Sequence, residues 1–301
     1  MSQGRTRVVV VTRPTPLELL IHRYGTYGQA RFYLASRGQD IIGLEANHER
    51  VSQGLAQSIA AIPENQSYVR VSRDELDRFL FAPDDHVMMV GQDGLVPNVA
   101  KYLNGQVALG VNPDPSSYDG VLCRHAPSNV ASALAWSHGE AGFRIEQRVL
   151  AEATLDNGQT LLALNELFIG HASHQSARYR LKLGDRSERH SSSGVIVSTG
   201  TGVSGWARSI VGQRRIEAAL PGPEEPRLAW FVREPWPSVA TQASLDFGQA
   251  GAGVVLEIDS EMSDGGVIFA DGIETDRIDF HAGRSVRIQE SARRLRLLMP
   301  A

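Results

Sequence analysis

The chain has almost no cysteine. Among 301 residues only Cys123 carries a thiol, so no internal disulfide can form and a reducing, cytoplasmic setting is expected. Long apolar runs are missing too: no window reaches the roughly 18 unbroken apolar residues of a membrane-spanning helix, so no membrane partner is expected. The first apolar run, which starts at Val8, is shorter than the core of an export signal. Nor is there an excess of positive charge. With 30 Lys and Arg against 34 Asp and Glu the net charge is −4, which argues against a broad nucleic-acid surface. Hydrophobic residues make up 42% and mean hydropathy is −0.20, enough for a buried core rather than disorder. The length suits about two domains of roughly 100–200 residues each. Glycine is the one surplus: 29 residues, or about 10% against a usual 7%.

The first half alternates strands and helices. Val8-Val9-Val10-Val11-Thr12 is a β-branched run of the kind buried on both faces of a sheet. Residues 17–36 and 44–62 carry helical apolar spacing, and residues 69–71 read as a short strand. A short helix over 74–81 is expected from Ser72 and Glu75, which form a capping-box pattern. Val87-Met88-Met89-Val90 is a second buried strand, 95–103 a helix and 107–111 a strand. This rhythm implies a parallel sheet with helices on its faces. From about residue 144 strand-like runs follow one another, at 143–155, 160–169, 177–184, 194–199, 228–233, 253–259, 266–270, 276–280 and 285–290. Asp156-Asn157-Gly158 signals a hairpin, and one helix is expected over 204–218. The expected fold is therefore α+β overall: an α/β domain with a parallel sheet over residues 1–138, then a mostly-β domain over residues 139–301. The last strand is a candidate to return to the first domain.

Four features can carry chemistry. Gly91-Gln92-Asp93-Gly94 lies at the carboxyl end of a parallel strand, where open sheets bind ligands. There glycine lets backbone approach a phosphate, and an aspartate can act as a base or face a magnesium ion. A plain turn is the alternative. Ser198-Thr199-Gly200-Thr201-Gly202-Val203-Ser204-Gly205 follows a buried strand and offers amides and hydroxyls to an anion. It contains neither a Walker loop nor a nucleophile elbow, and a Ser/Gly-rich loop is its bland reading. Asn165-Glu166 sits inside the apolar run 161–169. Neighbouring strand residues face opposite sides, so one of the pair is expected to turn inward, where it needs a partner. Asp271-Gly272 reads as a turn. His171 and His174 have no third ligand to complete a set, and no protein metal site is expected.

Taken in this order and spacing, from Val8 onward, these motifs resemble the NAD kinase family. That family has Gly-Gly-Asp-Gly after a strand, an Asn-Glu pair, a Thr/Gly/Ser loop ending in an aromatic residue and a later Asp-Gly. The stretches Gly110-Val111-Asn112-Pro113-Asp114-Pro115 and Thr199-Gly200-Thr201-Gly202, together with Arg233-Glu234-Pro235, are similar to its mitochondrial-type branch. The resemblance implies ATP-dependent phosphorylation of the adenosine-ribose 2′-hydroxyl of NAD to NADP, with Mg2+ or another divalent cation accompanying ATP. It implies Asp93 at the acceptor hydroxyl, with Gly94, Asn165, Glu166, Ser204, Gly205, Trp206 and Ser209 around NAD. Gly91, Gln92, Thr199, Gly200, Thr201, Gly202 and Asp271 would bind phosphates or ATP. Family members mostly assemble as homo-oligomers, dimers or tetramers. Two residues depart from the pattern: Gln92 stands where the family has glycine and Leu95 where it has threonine. A side chain at 92 is expected to crowd the phosphates or alter the backbone. That keeps open a same-fold kinase for another nucleotide or a lipid, and a non-catalytic nucleotide-binding protein.

Overall fold

The computed structural model describes residues 6–136 and 141–301. The chain divides into two compact units, one of Met1–Glu146 with Arg296–Ala301 and one of Gln147–Leu295. The boundary expected between residues 138 and 139 lies outside the described residues.

The first unit is built on β1 (Arg7–Thr12), β2 (Ser67–Ser72), β3 (His86–Val90) and β4 (Val107–Val111). They are parallel, in the order β2-β1-β3-β4, and residues 296–298 add a further parallel partner beside β4. Val8, Val9, Val10 and Val11 are all fully buried, as a two-sided sheet core requires. Leu55 and Ile59 pack against one face together with Val130 and Leu134, which belong to α3 (Ile42–Ala60) and α5 (Val130–Ala135); α5 was not anticipated. The helix expected over 17–36 is two helices, α1 (Pro16–Tyr24) and α2 (Tyr27–Ala35). Gly25 adopts φ 82° and ends the first, and the Thr26 side chain caps the second. The helix expected over 74–81 is only a 3-10 turn, Arg73–Glu75, although the Ser72–Glu75 capping box forms. Side chains intercept the backbone beyond it: Arg7 donates to the Leu80 carbonyl (3.3 Å) and Asp85 accepts from the Ala82 amide (2.7 Å). A short helix α4 (Leu95–Ala100) follows β3.

The second unit is a β-sandwich. Its strands are β6 (Thr160–Ala163), β7 (Glu166–His171), β8 (Ala177–Leu183), β9 (Arg186–Ser192), β10 (Val195–Ser198), β11 (Arg227–Val232), β12 (Phe247–Gly251), β13 (Leu256–Ser260), β14 (Gly266–Ala270) and β15 (Ile273–Asp279), with the parts of β5 (Phe143–Leu155) and β16 (Ser285–Pro300) that lie within residues 147–295. One antiparallel sheet runs β12-β11-β10-β7-β14-β15. Opposite it, β13 pairs with β8 and with residues 285–288 of β16, and β8 pairs with β9. Asp156-Asn157-Gly158 joins β5 to β6 as the expected hairpin. Alternate residues of the two sheets, among them Leu167, Val197, Trp230, Tyr179, Ile258 and Ile288, form the core between them. On the outer face of the six-stranded sheet Phe168, Phe231 and Phe269 pack against Ala207 and Ile210 of α6 (Trp206–Arg214), which is shorter than the helix expected over 204–218. This is an α/β unit with a parallel sheet and a separate mostly-β unit. No helix among the described residues is long and apolar enough to cross a membrane.

Candidate functional site

In the first unit the site starts where β3 ends. The Gly91 amide donates to the Val111 carbonyl (3.0 Å), which holds the loop beside the end of β4. Leu95 and Val96 then bond back to the Gln92 and Asp93 carbonyls (2.9 and 3.0 Å) and begin α4. The Asp93 carboxylate accepts three consecutive backbone amides: Val121 at Oδ2 (2.8 Å), and Leu122 (2.9 Å) and Cys123 (2.8 Å) at Oδ1. A carboxylate has about four acceptor positions, so one remains for another donor. The segment it holds is fixed again upstream. Asn112 donates to the Tyr118 carbonyl (2.8 Å), and Arg50 pairs with buried Asp114 (2.8 Å). Burial works against the Asp114 charge, yet hydrogen bonds from Arg50, Ser116 and Ser117 bring its carboxyl down to about 2. The Tyr118 phenol is pushed up to about 12, first by burial and then by the Asp114 charge. Tyr118 lines a cavity of about 170 Å³ together with Arg13, Gly91 and Gln92. Gln92 is exposed, and its Oε1 accepts from the Arg13 guanidinium.

In the second unit three loops converge. The continuous strand expected over 160–169 is broken: β6 ends at Ala163, β7 begins at Glu166, and Asn165-Glu166 sits at the break rather than inside a strand. The cause is Asp271. With Gly272 it forms the two-residue turn between β14 and β15, at φ 53° and 72°, the geometry of a type I′ hairpin. Its carboxylate accepts Leu164 (3.1 Å) at Oδ2, and Asn165 (2.6 Å) and Glu166 (3.3 Å) at Oδ1. Those amides leave the sheet ladder. Thr199, just after β10, adds a second tie. Its amide donates to the Asn165 carbonyl (2.9 Å) and its hydroxyl donates to the Leu164 carbonyl. The same hydroxyl accepts from Thr201 (3.1 Å) and Gly202 (3.3 Å). Asn165, Glu166, Thr199, Thr201, Gly202 and Asp271 are therefore neighbours.

The glycines of this loop answer to packing. A Cβ on Gly200 would lie 1.8 Å from the Gly222 oxygen, and one on Gly202 would lie 2.1 Å from the Asn165 oxygen. Backbone meets backbone at both, so no side chain fits. The Glu166 carboxyl is pushed up to about 7, chiefly by burial and further by the Asp271 charge. Beyond the loop, exposed Ser204 donates to the Thr201 carbonyl (3.1 Å) and Ser209 to the Trp206 carbonyl (2.9 Å). Gly205 is exposed at the start of α6. The Trp206 ring lies 5.9 Å from that of Phe168 and nearly parallel to it, with the Arg233 guanidinium 5.1 Å over the indole.

Three residues escaped the sequence reading. Arg148, 5% exposed on β5, donates to the Thr201 hydroxyl (3.3 Å) and sets a cation against the 199–202 loop. Val149, Ala151, Ala153 and Leu155 mark the core face of that strand. The period-2 pattern therefore puts Arg148 on the other face, without saying that this face is covered. Arg13 and Tyr118 left no pattern, being single residues after β1 and β4. Among the described residues no group of three or more His, Cys, Asp or Glu is placed to hold a metal. At the His171–His174 pair, His171 Nδ1 accepts from the Ser173 amide (3.0 Å).

No established family profile matches the chain. Three curated proteins do. Mitochondrial NAD kinase 2 of Rattus norvegicus is 26% identical over 76% of this chain and 73% of its own length. The Homo sapiens protein of the same name is 25% identical over 76% and 71%, and that of Xenopus tropicalis 25% over 68% and 63%. The match is distant but consistent across the three, and supports assignment to the NAD kinase family and a phosphotransferase role in general. It also corrects one expectation. All three relatives are named as mitochondrial, which points away from the cytoplasmic setting inferred from a single cysteine. A low cysteine count indicates a reducing environment and does not separate one such compartment from another.

Proposed function

We propose that the chain is an ATP-dependent NAD kinase that phosphorylates the 2′-hydroxyl of the adenosine ribose of NAD to give NADP. The observation that supports this reading most is the convergence of Asn165, Glu166, Thr199, Thr201 and Asp271 through the Asp271 carboxylate and the Thr199 hydroxyl. Motifs far apart in sequence, which the resemblance assigns to NAD and to phosphates, are neighbours in the second unit. Phosphoryl transfer asks the protein for positioning and charge neutralisation more than for covalent chemistry. Asp93 suits positioning, because three amides hold its carboxylate still and its remaining acceptor position can orient the attacking hydroxyl or take its proton. In the second unit Asn165 and Glu166 would hold the adenosine portion of NAD. Trp206 supplies an aromatic wall, with Ser204, Gly205 and Ser209 at its rim. Arg148, behind Thr201, supplies positive charge beside the loop assigned to phosphates. ATP is taken as its magnesium complex. A metal carried by phosphates needs only one or two protein carboxylates. Homo-oligomeric assembly is part of the same reading.

The deciding assay mixes the pure protein with magnesium, ATP and NAD and reads NADP with an NADP-specific dehydrogenase. NADP should accumulate with protein and time. No NADP above background while NAD still binds by calorimetry would end the kinase reading and favour nucleotide binding without transfer.

A further inference from the structure

In the first unit the strand order β2-β1-β3-β4 reverses between β1 and β3: the chain leaves β1 toward β2 on one side, and leaves β3 toward β4 on the other. A crevice opens at the carboxyl ends of parallel strands where the order reverses, and ligands of such sheets bind there. Two residues stand on its two sides. Arg13 is the first residue after β1 and Gln92 the second after β3, and the Arg13 guanidinium donates to Gln92 Oε1. The bond spans the crevice. Among the described residues it is the one hydrogen bond of the Arg13 side chain, so most of the five guanidinium donors are left for an anion.

Two cavities open onto Arg13. The larger, about 890 Å³, has an apolar wall of Val51, Leu55 and Ile59 on α3 and polar groups of Thr12, Ser72 and Asp74 at the strand ends. The smaller, about 170 Å³, reaches Gly91, Gln92 and Tyr118. They share Arg13, Pro14, Thr15, Val51 and Val90 in their walls, so they adjoin at the strand ends. The volume of the larger lies in the range of sites for small molecules, which are mostly apolar with a few placed polar groups. An apolar body in the large part and an anionic tail passing a cation toward the Asp93 loop describe a nucleoside triphosphate.

We propose that Arg13 is a phosphate-binding residue for the nucleoside triphosphate donor and that Gln92 is the positioning residue that holds it across the strand reversal. The inference rests on the kinase reading and adds two residue roles to its donor site. It gives a purpose to the side chain at 92: a glycine there would have nothing with which to hold Arg13, and the guanidinium would lose its fixed geometry. A planar fork held in place recognises phosphate better than a free one.

The test is calorimetric, on the full chain, with a non-hydrolysable ATP analogue plus magnesium and, separately, with NAD. Arg13→Ala should weaken the analogue at least about tenfold and Gln92→Gly about threefold, while NAD affinity changes less than about twofold. Arg13→Lys, which keeps the charge without the fork, should fall between wild type and Arg13→Ala; it carries the test if Arg13→Ala does not fold. Analogue binding that is absent in the wild type, or equal in wild type, Arg13→Lys and Gln92→Gly, overturns the proposal. The outcomes separate the two readings. Arg13-dependent analogue binding without NADP formation sinks the kinase reading and leaves this site standing. NADP formation with Arg13-independent analogue binding does the reverse.

Discussion

Each unit contains an aspartate that gathers three consecutive backbone amides, and the two are built alike. Asp93 takes Val121 on one oxygen and Leu122 and Cys123 on the other; Asp271 takes Leu164 on one and Asn165 and Glu166 on the other. Both follow a buried strand, and both order a segment distant in sequence. Their surroundings differ. The segment Asp93 holds presents Tyr118 beside Arg13 and Gln92, a polar mouth with a cation. The segment Asp271 holds carries a second carboxyl, and buried Glu166 is driven up to about 7. One clamp produces a place for an anion; the same clamp elsewhere produces a carboxyl that keeps its proton near neutral pH.

The strongest way to break this comparison is to make the same change in both clamps. Asparagine keeps the oxygen that takes two amides and turns an NH2 toward the third, so a donor faces a donor. Asp93→Asn and Asp271→Asn should each cost about 1–3 kcal/mol of stability in urea denaturation. Turnover should separate them: Asp93→Asn should lose about 10²–10⁴-fold of NADP formation, the usual contribution of a positioned base, with NAD affinity within a few-fold. Asp271→Asn should keep turnover within about tenfold of wild type, since it acts through the segment it holds. Equal losses of turnover in the two folded variants would mean that Asp93 is a structural clamp and nothing more.

A second, smaller effect tests the difference in surroundings. Glu166 has a folded-state value of about 7 against an ordinary 4.5, so the folded protein holds this proton more tightly than the unfolded chain. Its contribution to stability is complete below about 4.5 and is lost as pH rises through about 7, a swing of up to about 3 kcal/mol. Glu166→Gln stays neutral throughout. Relative to that variant, wild type should lose about 2–3 kcal/mol between pH 5 and pH 8 in denaturant titrations. A difference that stays flat with pH would show that Glu166 ionises freely, and the contrast between the clamps would go with it.

How much of this was readable beforehand follows from the same residues. The parallel core announced itself because Val8 to Val11 and Val87 to Val90 are unbroken apolar runs, and burial on both faces admits nothing else. The site motifs were readable through their order and spacing along the chain, since glycine and aspartate at any single strand end serve a turn equally well. The breaks were not. Nothing local in Leu164-Asn165 says that their amides go to Asp271, more than 100 residues away. The strand β9 was missed because its inward positions are Glu188, His190 and Ser192, which hide the apolar period. They are tolerated because partners arrive from elsewhere: Glu188 accepts Ser244 and Leu245 amides, and Ser192 meets the Tyr179 hydroxyl (2.8 Å). The Asp93 carboxylate was expected at the acceptor hydroxyl, but its grip on 121–123 required the tertiary fold. Long-range hydrogen bonds are where periodicity stops informing.

The smallest effect concerns glycine. In the second unit Gly202 is required by packing, since its Cβ would lie 2.1 Å from the Asn165 oxygen. Gly94 in the first unit has no such reason. Its backbone is ordinary (φ −61°, ψ −12°), it is exposed at the start of α4, and a Cβ there meets nothing within 4 Å. Its carbonyl already accepts from the Asn98 side chain (2.6 Å), so a methyl group leaves the loop as it is. Gly94→Ala should therefore be as stable as wild type or gain up to about 1 kcal/mol through the unfolded chain. If NAD approaches this backbone, the methyl takes up ligand space, and the KM for NAD should rise about threefold with little change in kcat, a loss of roughly 0.7 kcal/mol of binding. A KM that does not move would show that no ligand reaches Gly94. The absence of a side chain there would then owe nothing to NAD, and the mouth of the first unit would rest on Arg13, Gln92 and Asp93 alone.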